Sequence, residues 1–323
     1  MSYEFTSIDP NDEWVRRMAL EATSVFEEFR PDIILTQSTP FQVHLIGLHM
    51  PDEMRRRWIA YFSDLWPLSL TPVPYRTGLS VLMKPLHMRA LNKVAKATRS
   101  LLFSNAVAAR RAAEALTDAP ACIVVSHIGE PSTGTTPGNE LVQRYATRFV
   151  HVGKLTRERI SVALIDALRS IGDKWADRGF TGITFVGDVV GTFREACSDL
   201  ERSGLVDFIG EVSPDTARNI SSAAKALVVI EADMDESPFL ASKFADYAML
   251  RKPILAICPR GPMSEMLAVH GGGIAAPHDD KAIVAAIDLL LASEKQEGSE
   301  TLAREFAAQR VASTYIDAFR KLL

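Results

Sequence analysis

The sequence predicts a two-domain α/β protein whose second domain is a six-stranded parallel sheet. Three observations lead there. At 323 residues the chain exceeds one typical domain. In its second half, Val/Ile-rich runs alternate six times with helix-period stretches, the pattern of a parallel sheet covered on both faces. A proline-, glycine- and hydroxyl-rich stretch, EPSTGTTPG at 130–138, separates that half from a less regular first one.

In chain order, WVRRMALEATSVFEEF (14–29) carries helix periodicity and leads into a strand, DIILTQ (32–37). WIAYFSD, LLFS and CIVVS read as three further strands, joined by long basic or proline-bearing segments. The linker is expected at 131–148, between a domain of 1–130 and one of 149–298. In the second domain the strands are FVHVG (149–153), ITFVGD (183–188), VDFIG (206–210), ALVVIEA (226–232), ILAIC (254–258) and GGIAAP (272–277), each followed by a helix. Ser213-Pro214-Asp215 has the form of an N-cap with proline at the first helical position. ETLAREFAAQRVASTYIDAFRKLL closes the chain as one amphipathic helix or two short ones.

Composition excludes several classes. A hydrophobic fraction of 47% and a charged fraction of 24% are those of an ordinary globular protein, and a net charge of −4 argues against nucleic acid as the partner. Cys122, Cys197 and Cys258 are odd in number and far apart, which gives neither a disulfide framework nor a metal cluster. The polar opening MSYEFTSIDPNDEW does not read as a secretory signal, and no apolar run reaches the ~18 residues of a membrane span. A cytoplasmic location is expected. Charge is uneven, however: between Glu53 and Ala112 there are eleven Lys/Arg against two acids. In residues 84–99, Leu86, Leu91 and Val94 are expected to share an apolar face beside Lys84, Arg89, Lys93, Lys96 and Arg99. That segment is either a core helix with a solvated basic face or a peripheral contact for anionic lipid or a phosphorylated acceptor.

Ligands of open parallel sheets sit outside the carboxyl ends of the strands, so those positions are the ones to read for chemistry. Gly153, Lys154, Arg157 and Arg159 follow the first strand of the second domain, a glycine and cations at a helix start, suited to a diphosphate. Asp188 ends the next strand; Glu211 and Val212 follow the third, where an extended backbone offers amide and carbonyl groups to a flat base. Asp233, Asp235 and Glu236 read as a solvated acidic loop, and no metal is expected. Ser237-Pro238 is expected to begin a helix whose free amides meet a phosphate or sugar hydroxyls. One turn on, Lys243 and Asp246 share a face; the acid suits a ribose diol, or the pair is an ordinary surface ion pair. His127 and His151 lie at or in strands, and either face the cleft or pack structurally. No phosphate-binding loop of the GK[ST] type, GxGxxG or GxSxG is present. The residues thus point to a phosphorylated or nucleotide ligand.

Taken in order, these segments resemble the retaining GT-B glycosyltransferases of the "group 1" type, exopolysaccharide enzymes included. PDIILTQSTPFQVHLIGL is similar to the family's "PDvIlsssPP..aHl.gl", RRRWIAYFSDLWP to "pwiaDfrDlW", FVHVGKLTRERISVALIDAL to "f.y.GrL...KG...ll.Al", and KFADYAMLRKPILAI to "klfEymA.g.PViA". The resemblance implies two Rossmann-like domains facing a cleft, with Lys154 and Arg159 neutralising the leaving diphosphate as the catalytic cations. It implies that Asp246 holds the ribose, the backbone near Val212 the base, and the 237–243 loop, with Ser237 and Lys243, the phosphates and sugar; Gly153 and Asp188 complete the donor side, and Asp64 and His127 are assigned to the acceptor side. The reaction implied is metal-independent and retaining, from a nucleotide-sugar to a saccharide or lipid-linked acceptor. Residues 299–323 would pack back on the first domain. Pro238 stands where the family has the first acid of its E-x7-E element, and Ser63 where it often has His or Arg. The family's opening strand has no counterpart before Asp32, so an abbreviated first domain of about four strands is expected, as a natural short form or a truncated chain. Its exposed edge would favour pairing with another chain, a homodimer included. A non-catalytic nucleotide-sugar-binding or partner subunit is the alternative reading.

Overall fold

A computed structural model describes residues 8–131, 138–293 and 297–322; most of the expected linker's proline- and glycine-rich core, 132–137, lies outside them. The chain forms two compact units, one of Met1–Ser126 with Pro238–Leu240 and Val311–Leu323, the other of His127–Ser237 with Ala241–Arg310.

The first unit holds β1 (Ile34–Ser38), β2 (Trp58–Phe62), β3 (Ser100–Phe103) and β4 (Ala121–Val124), all parallel and in sequential order. β2 is buried on both faces, which explains its uninterrupted apolar run. Trp58, Ala60 and Phe62 meet Leu91 and Val94 of the helix Lys84–Ala97 on one side. Ile59 and Tyr61 meet Val311 and Leu322 of the last helix, Ala308–Leu322, on the other. One chain of buried polar groups crosses this unit: Trp58 Nε1 donates to Thr36 Oγ1 at 2.8 Å, and that hydroxyl in turn lies 2.8 Å from His44 Nδ1. Burial alone brings His44 down to about 3, so it is neutral. One expectation fails: Leu86 is 50% exposed rather than sharing the face of Leu91 and Val94. The buried row runs through His87, Ala90, Leu91, Val94 and Ala95, and Leu86 lies off it.

The second unit carries β5 (Arg148–Val152), β6 (Gly182–Val186), β7 (Val206–Gly210), β8 (Ala226–Ile230), β9 (Ile254–Ile257) and β10 (Gly273–Ala276) in the order β10-β9-β8-β5-β6-β7, all parallel. This is the doubly wound order, in which successive strands run outward from a central pair in both directions. Ser213 caps the helix Pro214–Ala223 by accepting the Thr216 amide, with Pro214 in the first turn. The core is aromatic and aliphatic, with Phe149, Phe180, Phe185 and Phe193 packed beneath the helix Val162–Ile171. The closing segment is two helices, Glu300–Phe306 in this unit and Ala308–Leu322, most of which belongs to the first. No helix among the described residues is long and apolar enough to cross a membrane.

Candidate functional site

Strand order reverses between β5 and β8, and in sheets of this kind the ligand crevice opens at the carboxyl ends of that pair. Gly153 follows β5 with φ +109°, a conformation L side chains rarely adopt, and donates its amide to Val186 O at 2.7 Å. A Cβ on it would stand 2.9 Å from Lys243 Nζ. Bare backbone there makes room for an ammonium group that comes from the first turn of the helix Ser242–Met249.

Three charges gather around that point. Lys243 is mostly buried; burial first, and then the neighbouring Arg159, bring its pKa down to about 8, while Glu231 acts the other way. Arg159 closes the short 3-10 turn Arg157–Arg159 and places Nη2 3.4 Å from Glu231 Oε2. Glu231, immediately after β8, has a side chain only 1% exposed. Its Oε1 also accepts the Ala232 amide at 2.7 Å. His278 braces this turn: Nε2 lies 2.8 Å from the Glu231 carbonyl and Nδ1 3.0 Å from Ser161 Oγ. Because a carbonyl only accepts, Nε2 carries the proton and Nδ1 takes the serine hydroxyl hydrogen. His151, inside β5, donates from Nδ1 to Val228 O at 3.0 Å by the same logic; among the described residues its Nε2 has no hydrogen-bond partner. Burial, with Lys243 and Arg159 nearby, holds it well below the usual histidine range and therefore neutral.

Asp246, one turn beyond Lys243, accepts the Glu130 amide on Oδ1 at 2.9 Å, and burial raises its pKa. Glu130 also pairs with Arg218, which reaches Asp215 at 3.2 Å. Glu130, Val152, Arg218, Lys243, Asp246 and Tyr247 line a cavity of about 130 Å³; the Tyr247 hydroxyl accepts the Val152 amide at 2.8 Å and lies 3.5 Å from the Val152 carbonyl as a donor. Val212 lies in the extended link between β7 and the Ser213 cap. Among the described residues nothing bonds its backbone amide or carbonyl. His127, assigned from the resemblance to the acceptor side, belongs to the second unit and interacts electrostatically with Asp246.

Lys154 is placed apart from this group. Its Nζ pairs with Asp188 Oδ2 at 2.9 Å, both side chains more than half exposed, and that carboxylate raises its pKa. Asp188 and Glu211 line a separate open hollow of about 440 Å³ with Phe208 and Arg194. Asp64 is exposed after β2 in the first unit. Ser237 is a correction: it begins no helix. It is 2% exposed and donates its amide to Arg260 O at 2.8 Å, because residues 236 and 260 bridge as a strand pair; the helix starts only at Ser242. Among the described residues no group of three or more His, Cys, Asp or Glu could hold a metal ion.

Within the second unit the structure thus brings Gly153, Arg159, Lys243 and Asp246 to one strand end, with Lys154 turned to Asp188 at its rim; Asp64 belongs to the first unit. Sequence reasoning missed Glu231, His278 and Arg218. Glu231 was visible in principle: ALVVIEA places a carboxylate directly after five buried strand residues, but the run reads as strand throughout.

No protein-family model and no curated protein matches the sequence. Solved structures do resemble the fold. HepE from Anabaena in complex with UDP and glucose has a TM-score of 0.66 at 16% identity, covering 98% of this chain and 83% of that one. Sucrose-phosphate synthase from Thermosynechococcus elongatus has a TM-score of 0.66 at 13% identity, covering 97% and 80%. The pneumococcal O-GlcNAc transferase GtfA in complex with UDP and GlcNAc has a TM-score of 0.59 at 10% identity, covering 93% and 59%. With two parallel α/β sheets, of four and six strands, the chain has the GT-B fold of glycosyltransferases.

Proposed function

We propose that the protein is a glycosyltransferase that moves a sugar from a nucleoside diphosphate sugar to a saccharide or lipid-linked acceptor, in the cytoplasm. The observation that carries this is the pairing of Lys243 with Arg159 at bare Gly153, on the strand end where the sheet order reverses. Two partly desolvated cations at such a strand end favour an anion of two or more charges. HepE and GtfA, which share the fold, are seen with UDP, and this supports a diphosphate ligand here.

In this reading Arg159 and Lys243 neutralise the charge that develops on the departing diphosphate, with Lys154 joining from the rim once it leaves Asp188. No metal is required, because the cations supply the charge. Asp246 takes the ribose hydroxyls, exchanging its bond to the Glu130 amide, and Val212 takes the base through its free backbone groups. Retention of anomeric configuration follows from the family resemblance.

Isothermal titration with UDP, GDP and ADP tests the site. One of them should bind, and Arg159→Ala and Lys243→Ala should each weaken it by about tenfold to a hundredfold, as expected for a charged hydrogen bond worth about 1.5–3 kcal/mol. Unchanged affinity in both variants would place the ligand elsewhere. A second reading, a donor-binding subunit without turnover, draws on Pro238, which brings no carboxylate to the loop and whose carbonyl accepts Asn105 Nδ2 at 2.9 Å. Sugar release or transfer by the purified chain excludes it.

A further inference from the structure

Helix Gly78–Leu82 and helix Lys84–Ala97 run on through Met83, which keeps helix-like dihedrals of −81° and −4°. On their outer side Leu82, Leu86, Arg89, Lys93 and Lys96 recur at spacings of four, three, four and three, so they form one stripe. Its first end is apolar and open: Leu82 is 76% exposed, Leu86 50% and the adjacent Val81 53%. Its second end is cationic and continues across the surface. Arg55, Lys93, Lys96 and His49 line one open hollow, and Arg55, Arg56 and Arg99 line the next. Among the described residues Lys84, Arg89 and Lys93 make no ion pair, and Lys96 reaches Asp118 only at 4.0 Å. The helix packs its His87-to-Ala95 row on the core, and the exposed leucines beside these cations form a separate, uncovered apolar patch on its outer face.

We propose that this face of the first unit docks on an anionic phospholipid surface, with Leu82 and Leu86 entering the acyl boundary and Arg89, Lys93 and Lys96 meeting lipid phosphates. Charge complementarity selects the occupant. A neutral apolar partner would leave the cations desolvated, whereas a free polyanion would leave the leucines in water. The hollow lined by Lys93 and Lys96, about 540 Å³, is wide enough for a headgroup phosphate, and so is its neighbour of about 420 Å³, where Arg56 and Arg99 stand beside the Arg55–Asp52 pair.

Sedimentation of the full chain with phosphatidylcholine vesicles, and with vesicles containing one quarter phosphatidylglycerol, reads this without donor or acceptor, so its failure leaves the transferase reading standing. Binding is expected only to the anionic vesicles and should be lost in 0.5 M salt. The exposed triple variant R89Q/K93Q/K96Q should weaken it about a hundredfold, at about fivefold per cation. L82S/L86S should weaken it about tenfold while the remainder stays salt-sensitive. Both variants should melt like the wild type. Equal sedimentation on both vesicle types, a triple variant within twofold of wild type, or capture of duplex DNA without vesicle binding would each overturn the proposal.

Discussion

Replacing Lys243 by Met should make the protein more stable at neutral pH while it loses its anion site. Lys243 is held from its ordinary 10.5 down to about 8, chiefly by burial. Keeping the ammonium charged in that setting corresponds to about 3 kcal/mol relative to an exposed lysine. The direction with pH follows from proton counts. Between pH 8 and 10.5 the unfolded chain holds a proton on this residue that the folded chain does not, so stability rises with pH through that window and the full penalty applies below pH 8. Methionine has nearly the same length and no charge, so Lys243→Met should gain up to about 3 kcal/mol at pH 7, roughly 5–10 °C in melting temperature for a unit of this size. The assay is urea denaturation of wild type and variant at pH 7, 8, 9 and 10. Taking the difference between the two proteins cancels groups common to both, such as Tyr247 and Cys258, whose pKa values burial raises. The gain should shrink toward zero by pH 10.5. A variant that is no more stable at pH 7, or a difference that stays flat between pH 8 and 10, would refute the reasoning.

Glu231→Gln removes the buried partner of Arg159 and should cost about 3 kcal/mol in urea, with a double-mutant cycle against Arg159→Gln giving about 1–3 kcal/mol of coupling; additive losses would show that the 3.4 Å pair does not act as one. Gly153→Ala puts a side chain at φ +109° and 2.9 Å from Lys243 Nζ, so it should cost about 1–3 kcal/mol and weaken nucleoside diphosphate binding as well; wild-type affinity in titration would mean the ammonium stands clear of the ligand.

The central strands β2, β3, β6, β8 and β9 were legible because burial on both faces demands a continuous apolar run, whereas β1, with the polar Thr36, Gln37 and Ser38, carries a weaker signal. The reversal of strand order between β5 and β8 was not legible, since no local signal encodes which strands become neighbours. That topology decides the site. It sets Glu231, immediately after β8, against Arg159, 72 positions earlier in the turn that follows β5. Reading each strand end alone gave Lys154 and Arg159 equal standing as cations near Gly153. In the folded chain they separate, because Lys154 finds Asp188 on the open surface while Arg159 turns inward to a carboxylate that water does not reach.

The inward group carries a physical constraint of its own. Lys243 and Arg159 stand in a place where charge is costly, and Lys243 shows the cost in its lowered pKa. Without Glu231, both cations would have to be held against each other and against desolvation. The buried carboxylate offsets part of that cost in the folded chain, and a diphosphate bound as proposed would add further negative charge beside both cations. His151 fits the same account. Placed beside Lys243 and Arg159, it stays neutral and adds no further positive charge to the resting site.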